Sequence, residues 1–132
     1  MSKLMGGLSG LIGIALIAFG FYAVYATTTV TTMTGLAPQG VAGMNEARSI
    51  YAGSFWAMGA LILYALANAR VRQPVLMAVG VIFGGFVSGR IVSIAMDGYD
   101  PLLTASIGSE VVAAIILLAA SRHSATNGND KG

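Results

Sequence analysis

Long apolar stretches, separated by short polar or glycine- and proline-rich segments, divide the chain. At about 1.5 Å per residue, each stretch is long enough to cross the roughly 30 Å hydrocarbon core of a bilayer. The pattern therefore predicts an all-α fold, a transmembrane bundle of four helices in one domain over residues 1–122. The predicted helices cover residues 4–26, 46–68, 74–96 and 102–122, and a polar tail predicted to be disordered covers 123–132.

Residues between the stretches supply start signals for helices. Asn45 is a good N-cap, Pro74 is suited to open the third helix, and Asp100 caps a fourth helix that Pro101 opens. The threonine-rich segment 27–44, with its β-branched residues, glycines and proline, predicts a surface loop. A short re-entrant or interfacial turn is the alternative for this segment.

The first stretch could also be interpreted as a signal peptide, because Val24-Tyr25-Ala26 would make an acceptable cleavage site. Its apolar body, however, is longer than the ~7–15 residues of a signal-peptide core. We therefore expect a retained first helix.

Short turns predict antiparallel neighbours in an up-down topology. With both termini in the cytoplasm, the basic residues near helix ends gather on the cytoplasmic side, as the positive-inside rule requires. That side would carry Lys3, Arg70, Arg72, Arg122 and Lys131, whereas the opposite side would carry Arg48 and an acidic turn with Asp97 and Asp100.

Composition narrows the function classes. Apolar residues make up 56% and charged residues 9% of the chain, which is typical of a membrane protein. The net charge is only +2 and the sequence has no basic stripe, which argues against nucleic-acid binding. The sequence has no cysteine and one histidine, His123, so a histidine-based metal site or catalytic triad is not expected within this chain alone. We accordingly predict no metal, no cofactor and no catalytic residue.

Charged residues inside the apolar stretches are the principal candidate site. Arg90 would lie about 9 Å and Glu110 about 12 Å below the outer ends of adjacent helices. Because each charge at such depth costs about 2.5–3.5 kcal/mol on insertion scales, we expect the two to pair. Further polar residues are predicted to join them in a buried network in the outer half of the bundle: Asn45, Glu46, Arg48, Tyr51 and Asp97.

Three functions remain open for this network. The first is a non-enzymatic accessory or scaffold module, in which the charges fix the helix register. The second is binding or transport of a small amphipathic or anionic ligand in an outward-facing pocket lined by Arg48, Arg90 and Glu110, which requires a cavity between the helices. The third, an enzyme that transfers protons through Glu110 or Asp97, is disfavoured because a carboxylate beside a guanidinium is a poor acid near neutrality.

Glycines form a second pattern. Small residues let membrane helices approach closely, so we predict helix packing at Gly53 and at the Gly80-xxx-Gly84 and Gly85-xxx-Gly89 pairs. Packing inside the bundle is favoured over a dimer face. Membrane lipid is the expected partner, together with other membrane subunits or further copies of the chain.

Several of these residues form a family signature. Asn45-Glu46-x-Arg48-x-x-Tyr51-x-Gly53, Gly89-Arg90, Asp97-Gly98 and the lone Glu110 resemble the small four-helix membrane proteins of domain of unknown function 4345. Ala52 departs from the family pattern, in which glycine is common. The resemblance covers nearly the whole chain and implies a four-helix bundle in a bacterial inner membrane. It implies no known activity, substrate or cofactor.

Overall fold

A computed structural model describes residues 2–129, and their side chains as far as residue 125. The helices in this range are α1 (Lys3–Tyr25), α2 (Thr27–Thr32), α3 (Gly40–Arg48), α4 (Ser54–Ala67), α5 (Ala69–Asp97) and α6 (Thr104–Asn129). A π-helical turn, Ser49–Gly53, joins α3 to α4, and a 3₁₀ turn, Pro101–Leu103, leads into α6. No strand occurs among these residues.

Spans long and apolar enough to cross a membrane number four in the described part of the chain. They are Lys3–Tyr25, Gly40–Ala67, Ala69–Asp97 and Pro101–Ala125. The second span combines α3, the π turn and α4 into one continuous helix. The all-α fold of a multi-pass membrane protein is thus confirmed.

The second span begins earlier than predicted. Asn45 lies inside α3, and Gln39 occupies the N-cap position instead. Gly40 has a φ of +61°, a left-handed conformation that suits glycine, and no proline follows it in α3. The chain can therefore enter the helix at Gly40, and the prediction that Asn45 caps it is wrong.

The threonine-rich connection is also partly helical, because α2 occupies its first six residues. The hydroxyl groups of Thr27 and Thr31, both buried, donate to the carbonyls of Ala23 and Thr27 at 2.8 and 3.1 Å. These bonds provide partners for the polar groups that a loop would have exposed. The loop prediction therefore fails over α2.

The third span begins at Ala69 because Asn68 caps it, accepting from the backbone N–H of Arg70 at 3.1 Å. Pro74 consequently lies inside α5 and does not open it as predicted. Arg72 donates to the carbonyls of Ala65 and Leu66 at the end of α4. One guanidinium therefore stabilises the tight link between α4 and α5.

The fourth span starts as the sequence predicts and ends later. Asp100 accepts from the N–H of Leu102 at 2.8 Å, and Pro101 occupies the first helical position. No proline interrupts α6, which continues to Asn129. The segment predicted as a disordered tail is therefore helical as far as Asn129, and residues 130–132 lie outside the described range.

The spans pack into a bundle in which α1 contacts α4, α4 contacts α5, α5 contacts α6, and α6 contacts α1. The most extensive interface joins α5 to α6. Ile62, Leu76 and Leu117 are fully buried at the centre. Apolar side chains from α4, α5 and α6 therefore share one core.

Glycines allow the close approach of α1 and α4. A Cβ atom added at Gly59 would lie 2.6 Å from the carbonyl oxygen of Gly13 and 2.7 Å from Cγ1 of Ile17. One added at Gly20 would lie 2.5 Å from Cδ1 of Trp56. Both helices therefore depend on missing side chains to reach this distance.

The glycines predicted for packing behave differently from one another. A Cβ at Gly80 would lie 2.9 Å from Cγ of Leu118, so this glycine does bring α5 close to α6. A Cβ at Gly53, Gly84, Gly85 or Gly89 would meet no atom within 4 Å. The packing role therefore does not hold for these four positions within the chain.

We predict that Gly59→Ala destabilises the protein by about 1–3 kcal/mol, because the new methyl group would overlap the backbone of α1. Gly84→Ala is the matched control. It adds the same methyl group in open space and gains helix propensity, so its stability should stay equal or rise by up to about 1 kcal/mol. Unfolding of both variants in detergent, followed by circular dichroism, would measure the difference, and equal losses would contradict the packing assignment.

Candidate ligand cavity

Arg90 on α5 and Glu110 on α6 form a bidentate ion pair. Nε of Arg90 donates to Oε2 of Glu110 at 2.6 Å, and Nη2 donates to Oε1 at 2.6 Å. Parallel charge-assisted bonds of this kind are among the strongest that side chains make. It is the one ion pair among the residues that the structure describes.

This pair is not buried as predicted. The side chain of Arg90 is 25% exposed and that of Glu110 is 13% exposed. The physical reason is a cavity beside the pair, which leaves part of both head groups without protein contact. The prediction of a buried salt bridge is therefore wrong, although the two residues do meet.

The wider network that we predicted does not form either. Asn45, Glu46 and Asp97 are exposed, and exposed Arg48 donates from Nε to the carbonyl of Val24 at 3.4 Å. Tyr51 is half-buried, and its hydroxyl lies 3.0 Å from Oγ1 of Thr34.

The cause is the placement of α3 and of the end of α5. Asn45, Glu46 and Arg48 lie on α3, which contacts α2 and the π turn, and none of the three lines the cavity beside the ion pair. Asp97 is the last residue of α5, about two helical turns beyond Arg90. Asp97 is therefore too far along the helix to join the pair.

A partly open cavity of about 420 Å³ adjoins the ion pair. We call it the Arg90 cavity. It lies between the π turn, the start of α4, α5, the 3₁₀ turn and α6, and its lining combines apolar, aromatic and small residues with the two charges. The lining residues are Ile50, Tyr51, Phe55, Gly85, Phe86, Gly89, Arg90, Ser93, Leu103 and Glu110.

Missing side chains on α5 open this space. Gly85 and Gly89 line the cavity, and a Cβ at either would meet no atom within 4 Å. Both aromatic side chains of the lining that come from α4 and α5 pack against another ring. Phe55 packs edge-on against Phe19 at 5.1 Å between ring centroids, and Phe86 packs edge-on against Phe83 at 5.9 Å. Gly85, Phe86 and Gly89 of α5 therefore form one side of the cavity, and Phe55 of α4 forms another.

The π turn supplies the wall opposite α5. A π turn inserts one extra residue into an α-helix, and such turns are frequent at functional sites. Here it places Ile50 and Tyr51 at the cavity, while Ala52 packs with Ala23 and Val30 in a small second core. Ser54 hydrogen-bonds back to the carbonyl of Ile50, which gives the widened turn an additional local contact.

A comparison of the sequence with known protein families identifies the family of this chain. The family model for domain of unknown function DUF4345 matches residues 5–121. The chain belongs to the DUF4345 family. No curated protein and no solved structure matches it.

In this DUF4345 protein, the signature residues meet only in part. Tyr51, Gly89, Arg90 and Glu110 line the same cavity, whereas the other signature residues lie elsewhere. Sequence reasoning missed the apolar lining, above all Ile50, Phe55, Phe86 and Leu103. Their signal was weak, because apolar residues are expected everywhere in membrane helices.

The polar end of the cavity carries both signs of charge. A guanidinium has more N–H donors than its two bonds to Glu110 use, and the carboxylate retains free lone pairs. The pair as a whole is neutral. A ligand group that can both donate and accept hydrogen bonds could therefore bind here without carrying a charge.

We predict that Arg90→Ala and Glu110→Ala each destabilise this DUF4345 protein, because each leaves one charge in an apolar span without its partner. The pair is partly exposed, so a double-mutant cycle should give a coupling energy of about 1–3 kcal/mol, between the values for exposed and buried pairs. Unfolding in detergent measures this energy. A coupling near zero would show that the ion pair does not stabilise the α5–α6 contact.

Proposed function

We propose that this DUF4345 protein binds a small amphipathic molecule in the Arg90 cavity. The supporting observation is the junction of an apolar, aromatic-lined space with a bidentate ion pair that keeps free donors and acceptors. A volume of about 420 Å³ falls within the roughly 300–1,000 Å³ of small-molecule sites. The apolar part of the ligand would lie along Phe55 and Phe86.

The head group of this ligand is best matched by a neutral polar group such as a hydroxyl or a carbonyl. An anionic head group is less favourable, because Glu110 already neutralises Arg90 and would repel it. Arg48, which would have supplied a second positive charge, does not line the cavity.

An accessory or scaffold role is the second candidate. It is favoured by the location of the ion pair on α5 and α6, the two helices with the most extensive interface. In that role, the pair fixes the register of the two helices, and an apolar pair of matching volume should replace it. The ligand experiment below separates the two functions.

An enzymatic role receives less support. Both carboxylate oxygens of Glu110 already accept hydrogen bonds from Arg90, and the described cavity lining holds no histidine, lysine or second carboxylate that could take part in proton transfer. Asp97, the other candidate for proton transfer, does not line the cavity.

We further propose that the protein resides in a bacterial inner membrane with alternating spans and both termini in the cytoplasm. The residues that face one another support antiparallel neighbours: Gly10 approaches Leu66 whereas Gly20 approaches Trp56, and Gly80 approaches Leu118 whereas Arg90 pairs with Glu110. In this arrangement Lys3, Arg70, Arg72 and Arg122 lie at one end of the bundle, as the positive-inside rule favours for the cytoplasmic side.

Filling the cavity tests the binding function. Gly89→Leu places a side chain in the open space of the Arg90 cavity, whereas Gly84→Leu, also unobstructed, adds the same side chain outside it. With a long-chain fatty alcohol as the probe, we expect the wild type and Gly84→Leu to be stabilised against thermal unfolding in nanodiscs, and Gly89→Leu to show no stabilisation.

Equal stabilisation of the wild type and both leucine variants would contradict binding in this cavity. No stabilisation of any of them, together with full stability of Arg90→Met/Glu110→Leu, would favour the scaffold role instead.

The absence of cysteine makes a topology test direct. We expect Ser2→Cys to resist a membrane-impermeant maleimide applied to intact spheroplasts, and Gln39→Cys, in the exposed connection before α3, to react with it. Permeabilised spheroplasts are the control, in which both variants should react. Labelling of Ser2→Cys from outside would contradict a cytoplasmic N-terminus.

A further inference from the structure

A second recess lies on the surface of α6, on the C-terminal side of the Arg90 cavity, and shares no lining residue with it. It has a volume of about 540 Å³ and is lined by Ile115, Leu118, Ala119, Arg122 and His123. These positions recur at helical spacing, so they form one face of α6. The recess is apolar over its first turns and basic at its end.

Arg122 gives this recess its positive charge. The side chain is exposed, and within the part of the chain that the structure describes it has neither an ion pair nor a hydrogen bond. In the alternating arrangement proposed above, on which this step rests, Lys3 and Arg70 lie at the same end of the bundle. The acidic residues that the structure describes lie toward the opposite end, so none of their carboxylates neutralises Arg122.

We propose that this recess binds an anionic phospholipid. Its phosphate would contact the guanidinium of Arg122, and one acyl chain would lie along Ile115, Leu118 and Ala119. In the proposed topology, the C-terminal end of α6 lies at the cytoplasmic side of the membrane. The apolar residues of the recess would then lie within the span, and Arg122 would lie near the surface of the cytoplasmic leaflet. Anionic head groups attract basic side chains at that level.

Native mass spectrometry of protein released from nanodiscs tests this proposal. The nanodiscs would contain equal amounts of phosphatidylglycerol and phosphatidylcholine with identical acyl chains. We expect the wild type to retain phosphatidylglycerol preferentially, and Arg122→Gln to reduce this preference about fivefold, the effect of one basic residue near an anionic surface. Arg70→Gln, a charge change of the same size at the same end, should leave the preference unchanged.

A second variant, Ala119→Leu, keeps the charge and fills the apolar part of the recess. We expect it to lower retention of the phospholipid while circular dichroism stays that of the wild type. Inorganic phosphate, added as a competitor without acyl chains, should not displace the lipid.

Three results would overturn the proposal. These are equal retention of both lipids by the wild type, an equal loss in Arg70→Gln and Arg122→Gln, or cross-linking that places a second copy of the chain over α6. Gly89→Leu should retain the phospholipid normally, so failure at this recess is distinguishable from failure at the Arg90 cavity.

Discussion

A guanidinium and a carboxylate placed within apolar spans need each other, because acyl chains and apolar side chains cannot neutralise a charge. The ion pair of Arg90 and Glu110 meets that need with two short hydrogen bonds between α5 and α6. Each of these side chains therefore connects its own helix to the other across the α5–α6 contact. The Arg90 cavity beside the pair depends on other features, since Gly85 and Gly89 leave space on α5 and the π turn places Ile50 and Tyr51 in the lining.

Glycine has two opposite uses in this bundle. Between α1 and α4, Gly13 and Gly59 remove side chains so that the two backbones can approach, and the space is closed. On α5, Gly85 and Gly89 remove side chains where no neighbouring atom moves in, and the space stays open. The contact between α1 and α4 is thereby closed, whereas the Arg90 cavity beside α5 stays open.

Much of the architecture could be predicted from the sequence, because span length, capping by Asp100 and the matched positions of Arg90 and Glu110 along adjacent helices are local or nearly local properties. The start of the second span could not, since Asn45 is a good cap but Gly40 already lets the chain turn into the helix. Glycine spacing identified candidate positions for helix packing, but it did not indicate at which of them a neighbouring helix would come close. The cavity walls depend on tertiary packing, which no spacing rule reports.

The π turn at Ser49–Gly53 also determines which side chains of the second span face α5. One extra residue rotates everything that follows by about 100° around the helix axis. A relative with an uninterrupted α-helix here would direct different side chains toward α5, even with identical residues after the turn. An alignment of this chain with such a relative would need a one-residue gap near the turn, because a gapless alignment would equate positions that face different neighbours.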